Sequence, residues 1–100
     1  LFTASDFGRT LAVNGDGTDH GWGSHHFVVG GAVRGGEIYG EIPPATIGHE
    51  QEVGGGRLIP GLAVDQYAAQ LGRWFGLSPS EIGAALPNLG RFSTPDWNFI

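Results

Sequence analysis

Within Gly17-Thr18-Asp19-His20-Gly21-Trp22-Gly23-Ser24-His25-His26, one carboxylate and three imidazoles stand close together between small and glycine residues. Asp and neutral His are standard ligands for zinc, manganese or iron. Glycine lets the backbone turn sharply and lets a ligand approach closely. Three of the chain's four histidines sit in this stretch. The pattern therefore points first to a metal site built on Asp19 and His20. The plainer alternative is that Asp19 caps a turn and His20 fills a loop.

His25 and His26 are adjacent, so in an extended segment their side chains face opposite ways. One of them can face a site while the other packs or donates a supporting hydrogen bond. His25 is favoured for the site, because His26 begins an apolar run. Arg9 can hold an anion through its two-pronged guanidinium, or pair with Asp6 or Asp19. Trp22 fits a packed loop anchor, and His49 reads as a surface residue. The glycines at 30-31, 35-36 and 54-56 are not a phosphate loop, since no Lys-Ser or Lys-Thr follows them.

The elements that position these residues can be read from pattern. Leu1 to Ala4 has the look of a buried strand's tail, with Phe7-Gly8-Arg9-Thr10 as the loop after it. Residues 11 to 24 read as a long polar loop. Residues 26 to 33 and 37 to 40 suit two short strands of a hairpin, turned at Arg34-Gly35-Gly36. Residues 41 to 57, with Pro43-Pro44 and Gly54-Gly55-Gly56, read as irregular or flexible. Val64, Tyr67, Ala68, Leu71, Trp74 and Phe75 recur at helical spacing and predict a helix with an apolar stripe, ended by Gly76. Ser78-Pro79-Ser80-Glu81 predicts a second helix with a capping box, stopping by Pro87. Leu77 and Ile82 flank that cap as a hydrophobic staple, and Trp97 and Phe99 lie on a packed tail.

Composition removes several function classes. The net charge is -5, and all five basic residues are Arg. Phosphate-backbone binding needs a basic face, so nucleic acid is not an expected partner. No apolar run is long enough to span a membrane. Cys is absent, which removes disulfides and thiolate chemistry together. One hundred residues fit a single small domain with a limited core. The opening at Leu1 suggests the C-terminal piece of a longer chain, so residues 1 to 100 are read as one partial domain.

Several segments together resemble the C-terminal end of a bacterial family catalogued as domain of unknown function 1501. They are Ser5-Asp6-Phe7-Gly8-Arg9-Thr10, then Gly17-Thr18-Asp19-His20-Gly21-Trp22-Gly23 with His25-His26-Phe27, then Gly30-Gly31-Ala32-Val33-Arg34-Gly35-Gly36. Val64-Asp65-Gln66-Tyr67-Ala68-Ala69, Trp74-Phe75-Gly76 and Pro87-Asn88-Leu89-Gly90-Arg91-Phe92 extend the likeness over nearly the whole chain.

The resemblance implies an exported, periplasmic bacterial protein, often with a twin-arginine signal, and a relationship to the alkaline phosphatase and sulfatase superfamily. In that superfamily an Asp-His-Gly or Asp-Asn-Gly after a late strand supplies metal ligands, and a further His lies downstream. Asp19-His20-Gly21 matches that pattern, and Asp6 matches the strand-end acid more loosely, where the family more often has Glu. The nucleophile comes from an early strand that this chain does not include.

The resulting expectation is an α/β chain: the C-terminal part of an alkaline-phosphatase-like sheet with flanking helices, a short β-hairpin and two C-terminal helices. Asp19, His20, His25, His26 and Asp6 are the candidate ligands of a divalent metal, with zinc, manganese and calcium as candidates. Arg9 is the candidate contact for a phosphate or sulfate ester, which makes the partner a small anionic molecule. The expected activity, metal-dependent ester hydrolysis, belongs to the parent protein rather than to this piece alone. The alternative is a non-catalytic metal- or glycan-binding protein on a degenerate hydrolase fold.

Overall fold

A computed structural model describes residues 1–100, which divide into two compact units. The first unit comprises Leu1–Val29 and Glu41–Gly61, and the second comprises Gly30–Gly40 and Leu62–Ile100.

In the first unit, strand β1 (Gly8–Val13) pairs antiparallel with strand β2 (Thr18–Gly21). Asn14-Gly15-Asp16-Gly17 makes the turn: Asn14 N–H donates to the Gly17 carbonyl at 2.9 Å, and Gly15 has φ of +96°. Residues read as a polar loop therefore form the hairpin. Asn-Gly and Asp-Gly are hairpin-turn chemistry, because these residues accept positive φ at small cost. The register shifts between Arg9 and Val13. At the open end Gly8 faces Gly21, and a Cβ on Gly8 would overlap the Gly23 carbonyl oxygen. Only glycine permits that approach.

The hairpin expected over residues 26 to 33 and 37 to 40 does not form. Its first segment keeps one isolated bridge, Phe2 with Val28, inside the first unit. The expected buried strand at the start is exposed, with Leu1 at 90%. Residues 30 to 40 belong to the second unit and lie against the tail. Arg34 N–H donates to the Phe99 carbonyl at 2.9 Å, and the Tyr39 hydroxyl donates to the Arg34 carbonyl at 2.8 Å. Tyr39 also meets the rings of Trp97 and Phe99. Four glycines in residues 30 to 36 interrupt the run, and backbone bonding to the tail replaces strand pairing.

The second unit holds both predicted helices, α1 (Val64–Phe75) and α2 (Pro79–Ala85). Gly76 ends α1 in the left-handed conformation, φ +106°, with its N–H on the Arg73 and Gly72 carbonyls. Asp65 sits in the first turn. At α2 the capping box is complete: Glu81 N–H donates to Ser78 Oγ, and Ser78 N–H donates to Glu81 Oε2 at 2.8 Å. The side-chain and backbone bonds from Ser78 hold the Glu81 carboxyl below its ordinary pKa.

The apolar stripe of α1 is not the face that is buried. The buried residues are Gln66, Ala69 and Gln70, on the opposite side of a 3.6-residue helix. Trp74 and Phe75, the last two residues of the predicted stripe, are 61% and 79% exposed. The glutamines are buried because their amides serve the tail. Gln66 Nε2 donates to the Ser93 carbonyl at 2.6 Å, and Gln70 Nε2 to that of Trp97 at 3.3 Å. The buried apolar residues of this unit are Ala69, Ile82 and Phe99. The architecture is mixed α/β, with one two-stranded sheet and two short helices. No helix is long and apolar enough to cross a membrane.

Candidate functional site

The hairpin separates the two leading candidates. Asp19 and His20 are neighbours on β2, and adjacent strand side chains point to opposite faces.

On one face, His20 lies directly across from Arg9 in the strand pairing. Its ring stacks on Phe7, with centroids 4.1 Å apart and planes 25° apart. The Arg9 guanidinium carbon lies 5.1 Å from the centre of the same ring, within cation–π range. Arg9 Nη1 donates to the Thr18 carbonyl at 2.8 Å, which braces the guanidinium against β2. Arg9 is thus an exposed cation beside an imidazole, a pairing that suits an anion.

Asp19 makes different contacts. Asn14 Nδ2 donates to its Oδ1, and Arg57 Nη2 lies 3.6 Å from its Oδ2. Asp19 therefore pairs with Arg57 rather than with Arg9. The two side chains are 53% and 35% exposed, so the pair is open to solvent. Arg57 came from the segment read as irregular, and its spacing from Asp19 gave no signal in the sequence.

That segment is organised by Glu52. Its carboxylate accepts N–H groups from Gly48 at 3.2 Å, Gly54 at 2.7 Å and Gly56 at 2.8 Å. The bond from Gly56, then that from Gly48, hold the Glu52 carboxyl below its ordinary pKa, with Gly54 and His49 adding to the effect. The ordered loop meets the hairpin where Leu11 N–H donates to the Gly56 carbonyl at 2.9 Å. His49 is half-buried here, not a free surface residue. Its Nε2 bonds the Pro44 carbonyl at 3.0 Å and its Nδ1 accepts from Gln51 N–H at 3.3 Å.

The remaining candidates are dispersed. His26 Nδ1 lies 3.4 Å from the Thr3 hydroxyl and is half-buried, whereas His25 is exposed. Asp6 is exposed in the segment before β1. Trp22, expected to anchor its loop, is largely exposed. No three His, Asp or Glu side chains gather to share one metal ion. Asp19 and His20 carry the right donor atoms, but on opposite faces, so these residues do not by themselves make a complete metal site. A groove of about 290 Å³ is lined by second-unit residues, including Gln66, Arg73 and Phe92, and holds none of the candidates.

A mixed α/β chain with a short glycine-bounded hairpin carrying Asp-His-Gly is the class that these features define. The family described as protein of unknown function (DUF1501) matches residues 1–81. The chain belongs to that family. No curated protein and no solved structure matches it.

Proposed function

We propose that this chain forms part of a protein resembling metal-dependent phosphate or sulfate ester hydrolases, and that Asp19 contributes a carboxylate to its cation site. The observation that supports this reading is the state of that carboxylate. Asn14 fixes Oδ1, and Oδ2 is turned toward the Arg57 charge on a side chain that is about half exposed. Asn14 orients the carboxylate in advance, and a cation would take the place that Arg57 holds at the other oxygen. Arg9, beside His20, is the group proposed to meet the anionic ester. The other cation ligands would come from groups not gathered here, with His20, His25, His26 and Asp6 as contributors after rearrangement. An exported location belongs to the same proposal.

A second reading has its own observation. His20 is committed to the Phe7 stack and Asp19 to Asn14 and Arg57, an arrangement that also suits a non-catalytic metal- or glycan-binding protein whose charged residues hold the hairpin. Metal content tests the Asp19 assignment, and hydrolysis of phosphate or sulfate esters by the metal-loaded full-length protein separates a hydrolase from a non-catalytic binding protein. Mass spectrometry of the purified protein is compared with an Asp19→Ala, His20→Ala double variant. Stoichiometric zinc, manganese or calcium, lost in the variant, is the expected result. Its absence from the folded protein would remove the metal assignment.

A further inference from the structure

Asn14 is followed by Gly15, whereas the chain's other asparagines, Asn88 and Asn98, precede Leu89 and Phe99. Cyclic imide formation at an asparagine needs the next residue's backbone nitrogen to reach the side-chain carbonyl carbon. A glycine in that place puts no Cβ in the way. Asn14 and Gly15 are both exposed, in the turn between β1 and β2. The Gly15 N–H makes no hydrogen bond, and the space where its Cβ would stand is open. The Asn14 side chain is tied to Asp19, to whose Oδ1 its Nδ2 donates. The attacking atom is therefore uncommitted, and one charge-assisted bond restrains the group it attacks.

We infer that Asn14 is a site of spontaneous deamidation, with the hairpin's own Asp19 as its restraint. Gly15 N gives up its proton to solvent and bonds to Asn14 Cγ. The Cγ–Nδ2 bond breaks, and ammonia leaves with a proton taken from water. Water then opens the cyclic imide at either carbonyl, which gives aspartate or isoaspartate at position 14. The step is independent of the cation reading of Asp19. Either product replaces an amide donor with a carboxylate beside Asp19, so repulsion stands where a hydrogen bond stood. Isoaspartate also lengthens the main chain inside the turn that Asn14 N–H closes on the Gly17 carbonyl. The modification therefore loosens the hairpin tip and releases Asp19 from Asn14.

The test is mass spectrometry of the full chain held at neutral to mildly alkaline pH. Cleavage after arginine puts Asn14, Asn88 and Asn98 on separate peptides, so each is read by itself. The expected result is amide loss at Asn14 ahead of the other two, faster as pH rises, with isoaspartate as well as aspartate in the product. Asp19→Ala, which frees the amide, should speed the loss at Asn14 about two- to tenfold, the factor that one net hydrogen bond represents. Asp96→Ala removes the same charge from an exposed position in the second unit and should leave the rate unchanged. Hydrogen exchange at the residue 14 amide should quicken in the modified chain. An intact Asn14 in the folded chain, under conditions where the denatured chain loses that amide, would overturn the inference. Aspartate without isoaspartate would do the same, since it marks direct hydrolysis. Equal rates in Asp19→Ala and the unmodified protein would remove Asp19 as the restraint. Should Asp19→Ala not fold, the order of loss among the three asparagines of the unmodified protein decides the matter.

Discussion

Gln70 and Phe99 stand 29 positions apart, and the Gln70 amide oxygen accepts the Phe99 backbone N–H at 3.2 Å. The amide's other end donates to the Trp97 carbonyl. One buried side chain on α1 thus satisfies two backbone groups of an extended tail. Gln70→Ala leaves both without their partner and should cost about 1–3 kcal/mol. Denaturant unfolding measures this, and a midpoint equal to that of the unmodified protein would show that the tail does not depend on Gln70.

Exposure on α1 and α2 gives a paired prediction. Trp74 is mostly exposed, so Trp74→Ser should change stability by no more than about 0.5 kcal/mol. Ile82 is 4% exposed and its side chain lies against Gly72, so Ile82→Ala should cost about 2–4 kcal/mol. A reversed order in thermal unfolding would mean that the apolar stripe of α1 is the buried face.

Acid should loosen the loop of the first unit. The Glu52 carboxyl has a folded-state pKa below its ordinary 4.5, through the Gly56, Gly48 and Gly54 N–H bonds and the nearby His49. A lowered folded pKa contributes stability that is present above the unfolded value and lost as pH falls through the folded one. Glu81 carries a shift of the same sign, so both contribute to the acid limb. Glu52→Gln should flatten that limb in part. The Leu11 amide, bonded to Gly56, should exchange faster in this variant. Unchanged protection at Leu11 would show that the loop does not hold β1.

Gly56 is a backbone requirement. Its φ is +76°, and a Cβ there would sit 2.8 Å from the Leu11 nitrogen and 2.9 Å from that of Ala12. Gly56→Ala should therefore cost about 1–3 kcal/mol through strain and loss of the Leu11 contact. Gly15→Ala shares the positive φ but meets nothing within 4 Å, so it isolates the conformational part. Equal losses in the two variants would remove the role of close packing.

The sequence by itself determined what is settled within a few residues. Ser78, Pro79 and Glu81 set the start of α2, and Gly76 set the end of α1, because caps are satisfied by groups three or four positions away. The family was legible for the same reason, since Asp19-His20-Gly21 and its neighbours form a contiguous text. Asn14-Gly15-Asp16-Gly17 also carried its turn locally, although glycine richness around it reads equally as a loop. Tertiary structure alone decided which face of α1 is buried. Periodicity marks an apolar stripe, but the tail's carbonyls and the Phe99 N–H made the glutamine face the better one to cover. It also decided that Asp19 faces Arg57 while His20 faces Phe7 and Arg9. Strand alternation parts the two neighbours, and a loop more than thirty residues downstream supplies the charge, a pairing that depends on where the chain returns and leaves no local trace.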